Sequence, residues 1–219
     1  MSSRPLFLAI ALTFCASAFA GSGPDIDKVN GAIHLESGQV GGDLSTVNGS
    51  IRMDAHATAD DLETVNGSID IGDDSNAQSL ETVNGAIEIG ARTRIARGVE
   101  AVNGSITLAE GADVNGKLSN VNGRIEVSAA HVGGGIETVA GDIELGANAR
   151  VDGGILVEKP SGWSWGKQKT PRVVIGPHAV VNGSLVFQRE VELLVSDSAS
   201  IGTVTGATAT KFSGEHPGR

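Results

Sequence analysis

Tyrosine is missing from this chain, and aromatic residues make up only 3% of it. Outside its two tryptophans it offers almost no surface on which bases or sugars stack. Basic residues are also scarce. Sixteen Lys and Arg stand against 26 Asp and Glu, a net charge of −10. Nucleic acid and anionic membrane surfaces call for a positive footprint, so neither is an expected partner. The single cysteine, Cys15, excludes a disulfide framework and a cysteine-based zinc site. His34, His56, His131, His178 and His216 fall at no ligand spacing, so no metal and no cofactor is expected. No apolar run reaches the roughly 18 to 20 residues of a membrane span. Glycine, by contrast, is abundant at 31 residues, about twice ordinary usage. Aliphatic residues are numerous enough to bury a core, which separates the chain from disordered acidic sequences.

Arg4, the apolar run 5–14 and Ala18-Phe19-Ala20 read as a secretory signal peptide cleaved after Ala20. The alternative is lipoprotein processing at Cys15, against which the bulky Phe14 argues. The expected organisation is a signal peptide at 1–20, repeats at 21–155, a loop insertion at 156–172, further coils at 173–206 and a flexible polar tail at 207–219. The expected location is the periplasm or cell surface, with no transmembrane anchor.

The repeats dominate everything after the leader. Val-Asn-Gly begins at Val29, Val47, Val65, Val83, Val102 and Val121, and a degenerate Val139-Ala140-Gly141 follows. The spacings are 18, 18, 18, 19, 19 and 18 residues. Aliphatic residues recur four places after each valine (Ile33, Ile51, Ile69, Ile87) and six places after it (Leu35, Met53, Ile71, Ile89). A third series, including Leu44, Leu62 and Leu80, lies 15 or 16 places after it. A polar residue separates the first two series in most copies, as in Arg52, Asp70 and Glu88. In-out-in alternation is the mark of a half-buried strand.

A strand of this length cannot bury a face alone and must stack on copies of itself. The sequence therefore predicts an all-β fold, a single-stranded parallel β-helix (β-solenoid) with coils of about 18 residues. Nine or ten coils make a rod of roughly 45 Å at strand spacing. The large isoleucines fit the six-residue rule of left-handed solenoids poorly, which favours a right-handed coil. Asn-Gly is read as a corner using positive φ. Stacking then places Asn30, Asn48, Asn66, Asn84, Asn103 and Asn122 in one column, as a structural amide ladder. The alternative is a row of amides that binds a ligand.

The Val-Asn-Gly-[Ser/Ala]-Ile repeats, preceded by Leu-Glu-Thr, resemble the bacterial DUF4097 family of adhesin-like β-strand-repeat proteins over about residues 26–155. The stretch Ile175-Gly176-Pro177-His178-Ala179-Val180-Val181-Asn182-Gly183 resembles bactofilin-type and hexapeptide-repeat β-helices. The first resemblance implies an exported Gram-negative protein with no assigned chemistry, and it carries over no functional residue. Bactofilins are typically cytoplasmic, a point on which the export signal departs from them.

Among possible sites, Gly162-Trp163-Ser164-Trp165-Gly166 matches a nucleophile elbow, but no helix signal follows it. Its tryptophans alternate, which puts them on one face of an extended loop. With Lys167, Lys169 and Arg172 they form the candidate binding surface, an aromatic and basic loop on an acidic rod. The alternative is a hydrophobic lid over the coils. Carboxylates should also form columns, Asp70 with Glu88, Glu126 with Glu144, and Glu63 with Glu81 and Glu100. These read as solvated charges that block lateral sheet pairing, with calcium bridging as the alternative. The expected function is a non-enzymatic envelope scaffold or adhesin-like protein that binds an unknown envelope protein or glycan. Two alternatives are a homo-oligomer built by coil stacking and a β-helix polysaccharide-active enzyme.

Overall fold

The computed structural model describes residues 23–160 and 169–217. The signal peptide expected at 1–20, together with Cys15, Trp163, Trp165 and Lys167, lies outside the described residues. Among those described there is no helix. Parallel strands stack in turns of about 18 residues to form a β-solenoid of about ten turns.

Most turns carry three short strands, and these build three parallel sheets. The first sheet has ten strands, from Ile26–Asn30 to Val204–Thr205. The second has ten, from Ile33–Leu35 to Ala209–Phe212. The third has seven, from Asn76–Ala77 to Ser200–Ile201, and single bridges at Val40, Thr58 and Asn76 extend it towards the first turns. Register follows the repeat. Leu44 pairs with Leu62, Leu62 with Leu80, and Ile69 with Ile87.

Identical aliphatic residues therefore sit above one another in the interior. Leu44, Leu62, Leu80, Ile51, Ile69, Ile87 and Ile106 are all fully buried. Completely burying such a side chain contributes about 1.5–3 kcal/mol. The third sheet adds a column not identified in the sequence: Ala59, Ala77, Ile95, Val114, Val132, Val151 and Val181.

The two corners flanking the second sheet work differently. At the Asn-Gly corner, only Gly31 and Gly123 adopt left-handed backbone, with φ of 111° and 125°, and no asparagine of the motif does. The expected positive φ is therefore not the general reason for glycine here. Space is the reason. A Cβ on Gly49, Gly67, Gly85 or Gly104 would lie 1.7–2.2 Å from the carbonyl oxygen of the glycine one turn before. Left-handed backbone appears instead one strand later, at Gly38, His56, Asp74, Arg92, Gly111, Ala129, Asn148 and His178, with φ between 46° and 74°. A type II turn needs such a residue at its third position. Bonds such as Gln39 N–H to Glu36 C=O (3.0 Å) and Ala112 N–H to Ala109 C=O (3.1 Å) close it.

The insertion does not interrupt the stack. Ile143 pairs with Val173 and Leu145 with Ile175, thirty positions on, so the register continues across the longer turn. The flexible tail expected at 207–219 is corrected in part. Residues 209–212 form the last strand of the second sheet, with Leu193 opposite Ala209 and Ser196 opposite Phe212. An unpaired sheet edge beside them gives these residues a partner for their backbone groups.

Candidate functional site

Three arrangements of polar groups stand out. The first is the Asn-Gly corner. Each carboxamide donates from Nδ2 to Oδ1 of the asparagine one turn before: Asn48 to Asn30, Asn66 to Asn48, Asn84 to Asn66, Asn103 to Asn84 and Asn122 to Asn103, all at 3.0–3.2 Å. All six asparagines are exposed. A threonine column lies behind them inside the rod. Thr46, Thr64 and Thr82 are buried, and their hydroxyls donate to the carbonyls of Gly31, Gly49 and Gly67 at 2.9–3.2 Å. This assigns a role to the Thr of Leu-Glu-Thr, since a buried corner carbonyl needs a donor. In the degenerate copy Thr138 Oγ1 donates to Asn120 Oδ1 (2.6 Å) and accepts from Gly141 N–H (2.9 Å). The repeat valines point the other way and form a half-exposed stripe, with Val29 68% exposed.

The second arrangement is the described part of the candidate loop. Lys169 Nζ lies 2.5 Å from Asp142 Oδ2, and Arg172 donates its backbone N–H to Asp142 Oδ1 at 2.9 Å. Arg172 Nε also faces Glu192 Oε2 at 3.6 Å. Burial pushes the Asp142 carboxyl up, but the Lys169 ammonium and the Arg172 N–H outweigh it and hold the group below its usual range. Lys169 and Arg172 are thus matched by carboxylates of the coils. Arg189, not singled out in the sequence, pins the same region. Its guanidinium donates to Val139 C=O and Lys169 C=O, both at 3.0 Å.

The third arrangement lies on the third sheet and was missed in the sequence. Asp113, His131 and Arg150 are stacked neighbours. His131 Nδ1 sits 2.7 Å from Asp113 Oδ1 and its Nε2 2.9 Å from Asp152 Oδ2. Arg150 pairs with Asp152 at 2.7 Å, and Asn182 Nδ2 donates to Asp152 Oδ1 at 2.9 Å. Hydrogen bonds to Asp152 and Asp113 raise the His131 pKa above its usual 6.5. The same bond to His131 holds Asp152 below the usual carboxylate range. The signal was available, because 113 and 131 differ by one turn.

The carboxylate columns form as the repeat places them, Asp70 with Glu88, Glu126 with Glu144, and Glu63 with Glu81 and Glu100. Glu81 is half-buried, while Glu63 remains exposed. Desolvation first, then neighbouring carboxylates, pushes both upward. Among the described residues no group of three or more His, Cys, Asp or Glu is placed to hold a metal ion. No helix among them is long and apolar enough to cross a membrane. Comparison of the chain with family models, with curated proteins and with solved structures found no match.

Proposed function

We propose that this protein is an exported, non-enzymatic β-solenoid that serves as an envelope scaffold or adhesin-like binding rod. The observation that supports this reading is the unbroken register of ten strands in each of two sheets, which repeats the same surface groups at strand spacing. Such a surface suits many equivalent weak contacts, whereas a reaction centre needs unlike groups converging on one point. The loop at 159–172 is the proposed contact region for an envelope glycan or protein. Lys169 and Arg172 are already paired with coil carboxylates, so recognition there falls chiefly to Trp163, Trp165 and Lys167.

Tryptophan fluorescence tests this directly, because the chain has only these two tryptophans. Contact residues would give red-shifted emission that iodide quenches readily. Blue-shifted emission that stays protected until global unfolding would make the pair a structural lid and end the binding-loop reading. Export is tested separately: mass spectrometry of envelope fractions should find a mature chain that begins at Gly21.

A second reading, end-to-end assembly of copies, has its own support. Ile26–Asn30 and Ile33–Leu35 at one end pair on one side only, as do Val204–Thr205 and Ala209–Phe212 at the other. Open edges are templates for further strands. Sedimentation at rising concentration tests it, and a constant monomer mass would discard it.

A further inference from the structure

Eight Asn-Gly dipeptides occur in the chain. In this dipeptide the glycine nitrogen can approach the asparagine side-chain carbonyl carbon without hindrance from a Cβ. What protects it in a folded chain is a hydrogen bond that keeps the glycine N–H occupied and a contact that holds the carboxamide. Seven of the eight glycines have that bond. Gly31, Gly49, Gly67, Gly85 and Gly104 each donate to the asparagine carbonyl one turn ahead at 2.9–3.2 Å. Gly116 donates to Arg97 at 2.8 Å, and Gly183 to Gly153 at 3.0 Å. The N–H of Gly123 has no partner among the described residues.

The side chain of Asn122 is held from one side only, as is that of Asn30 at the other end of the ladder. Asn48, Asn66, Asn84 and Asn103 are held from both sides, donating to one neighbour and accepting from the next. Asn122 donates to Asn103 at 3.0 Å, but the degenerate copy puts Ala140 where the next rung would stand. Both residues of the dipeptide are exposed, and Gly123 carries a φ of 125°.

We infer that Asn122-Gly123 is a built-in modification site, the position at which the folded chain undergoes spontaneous deamidation. The Gly123 nitrogen gives its proton to solvent base and attacks Cγ of Asn122. The bond from Cγ to Nδ2 breaks and ammonia leaves, closing a succinimide. Water then opens the ring at either carbonyl, giving aspartate or isoaspartate, so one water is consumed for each ammonia released. Isoaspartate lengthens the main chain by one carbon at the corner whose carbonyl accepts the Gly104 N–H at 3.0 Å. The modification therefore strikes the register between two turns.

The test incubates the full chain in mildly alkaline buffer, folded and unfolded in denaturant. Peptide mapping reads the amide-to-acid mass change, and enzymatic methylation detects isoaspartate. In the folded protein Asn122 should convert about tenfold faster than any other Asn-Gly pair, since one protecting hydrogen bond must open first elsewhere. In denaturant all eight should convert at similar rates. Conversion of Asn122 no faster than Asn84 or Asn103 in the folded chain would overturn the proposal. So would the same ranking in denaturant, because local sequence would then set it.

Discussion

Replacing Gly85 with alanine isolates the requirement that the stack places on the Asn-Gly corner. The backbone of Gly85 lies outside the left-handed region, so alanine adds no conformational strain. It adds one methyl group, 1.9 Å from the Gly67 carbonyl oxygen and 2.5 Å from its carbon. Both are backbone atoms, so no rotamer change relieves the overlap. The two turns must separate locally by more than an ångström, taking ordinary van der Waals contact as about 3.5 Å. That movement strains Gly67 N–H to Asn84 C=O (3.1 Å), Ile69 N–H to Ala86 C=O (2.9 Å) and the rung from Asn84 to Asn66 (3.1 Å). Three hydrogen bonds at about 1 kcal/mol each give an expected loss of about 3 kcal/mol. Urea denaturation reads the global loss, and amide exchange at Gly67 and Ile69 reads the local one. Gly98→Ala is the control, because its closest Cβ contact is 3.1 Å and a small shift accommodates it. If Gly85→Ala unfolded within about 0.5 kcal/mol of wild type, as neutral surface changes do, the stacked-glycine reasoning would be refuted.

Ile87 is fully buried, and Ile87→Ala should cost about 2–5 kcal/mol, while the exposed rung change Asn84→Ala should cost about 1–2 kcal/mol; a reversed order in urea melts would contradict the burial pattern. The His131 clamp gives a pH signature. Its folded pKa is raised, so its contribution is complete below the unfolded value of about 6.5 and disappears as pH rises through the higher folded value. Asp152, held low by the same bond, loses its share as pH falls through its depressed folded value. The stability difference between wild type and His131→Gln should therefore be largest on the mildly acidic side of neutrality and shrink above it; a difference that is flat with pH would disprove the clamp. Glu81, raised by burial and then by Glu63 and Glu100, is costly when ionised, so Glu81→Gln should stabilise at neutral pH by about 0.5 kcal/mol, and the gain should fade in acid, as paired thermal melts can read.

The legible parts of this fold are those in which the stack copies one residue type from turn to turn. Ile51, Ile69 and Ile87 announce a core column because burial repeats with the same side chain. The third-sheet column was invisible at its start, where Ala59 and Ala77 are too small to raise local hydropathy, although Ile95, Val114, Val132 and Val151 continue it. The left-handed corner was hidden for a different reason. His56, Asp74, Arg92 and Ala129 share no chemistry, and closure of the turn imposes their backbone. At the Asn-Gly corner the residues were read correctly and given the wrong cause, because stacking distance, not φ, excludes a side chain there. Ion pairs fall between these cases. Asp113 and His131 are one turn apart and are predictable once the period is applied to polar residues. Lys169 meets Asp142 across 27 positions because the inserted loop lengthens that turn. Periodicity thus converts sequence into contacts wherever the turn length is constant. Where it changes, at 156–172, the repeat no longer predicts which residues meet, and recognition by this rod, if centred there, is the property that its repeats encode least.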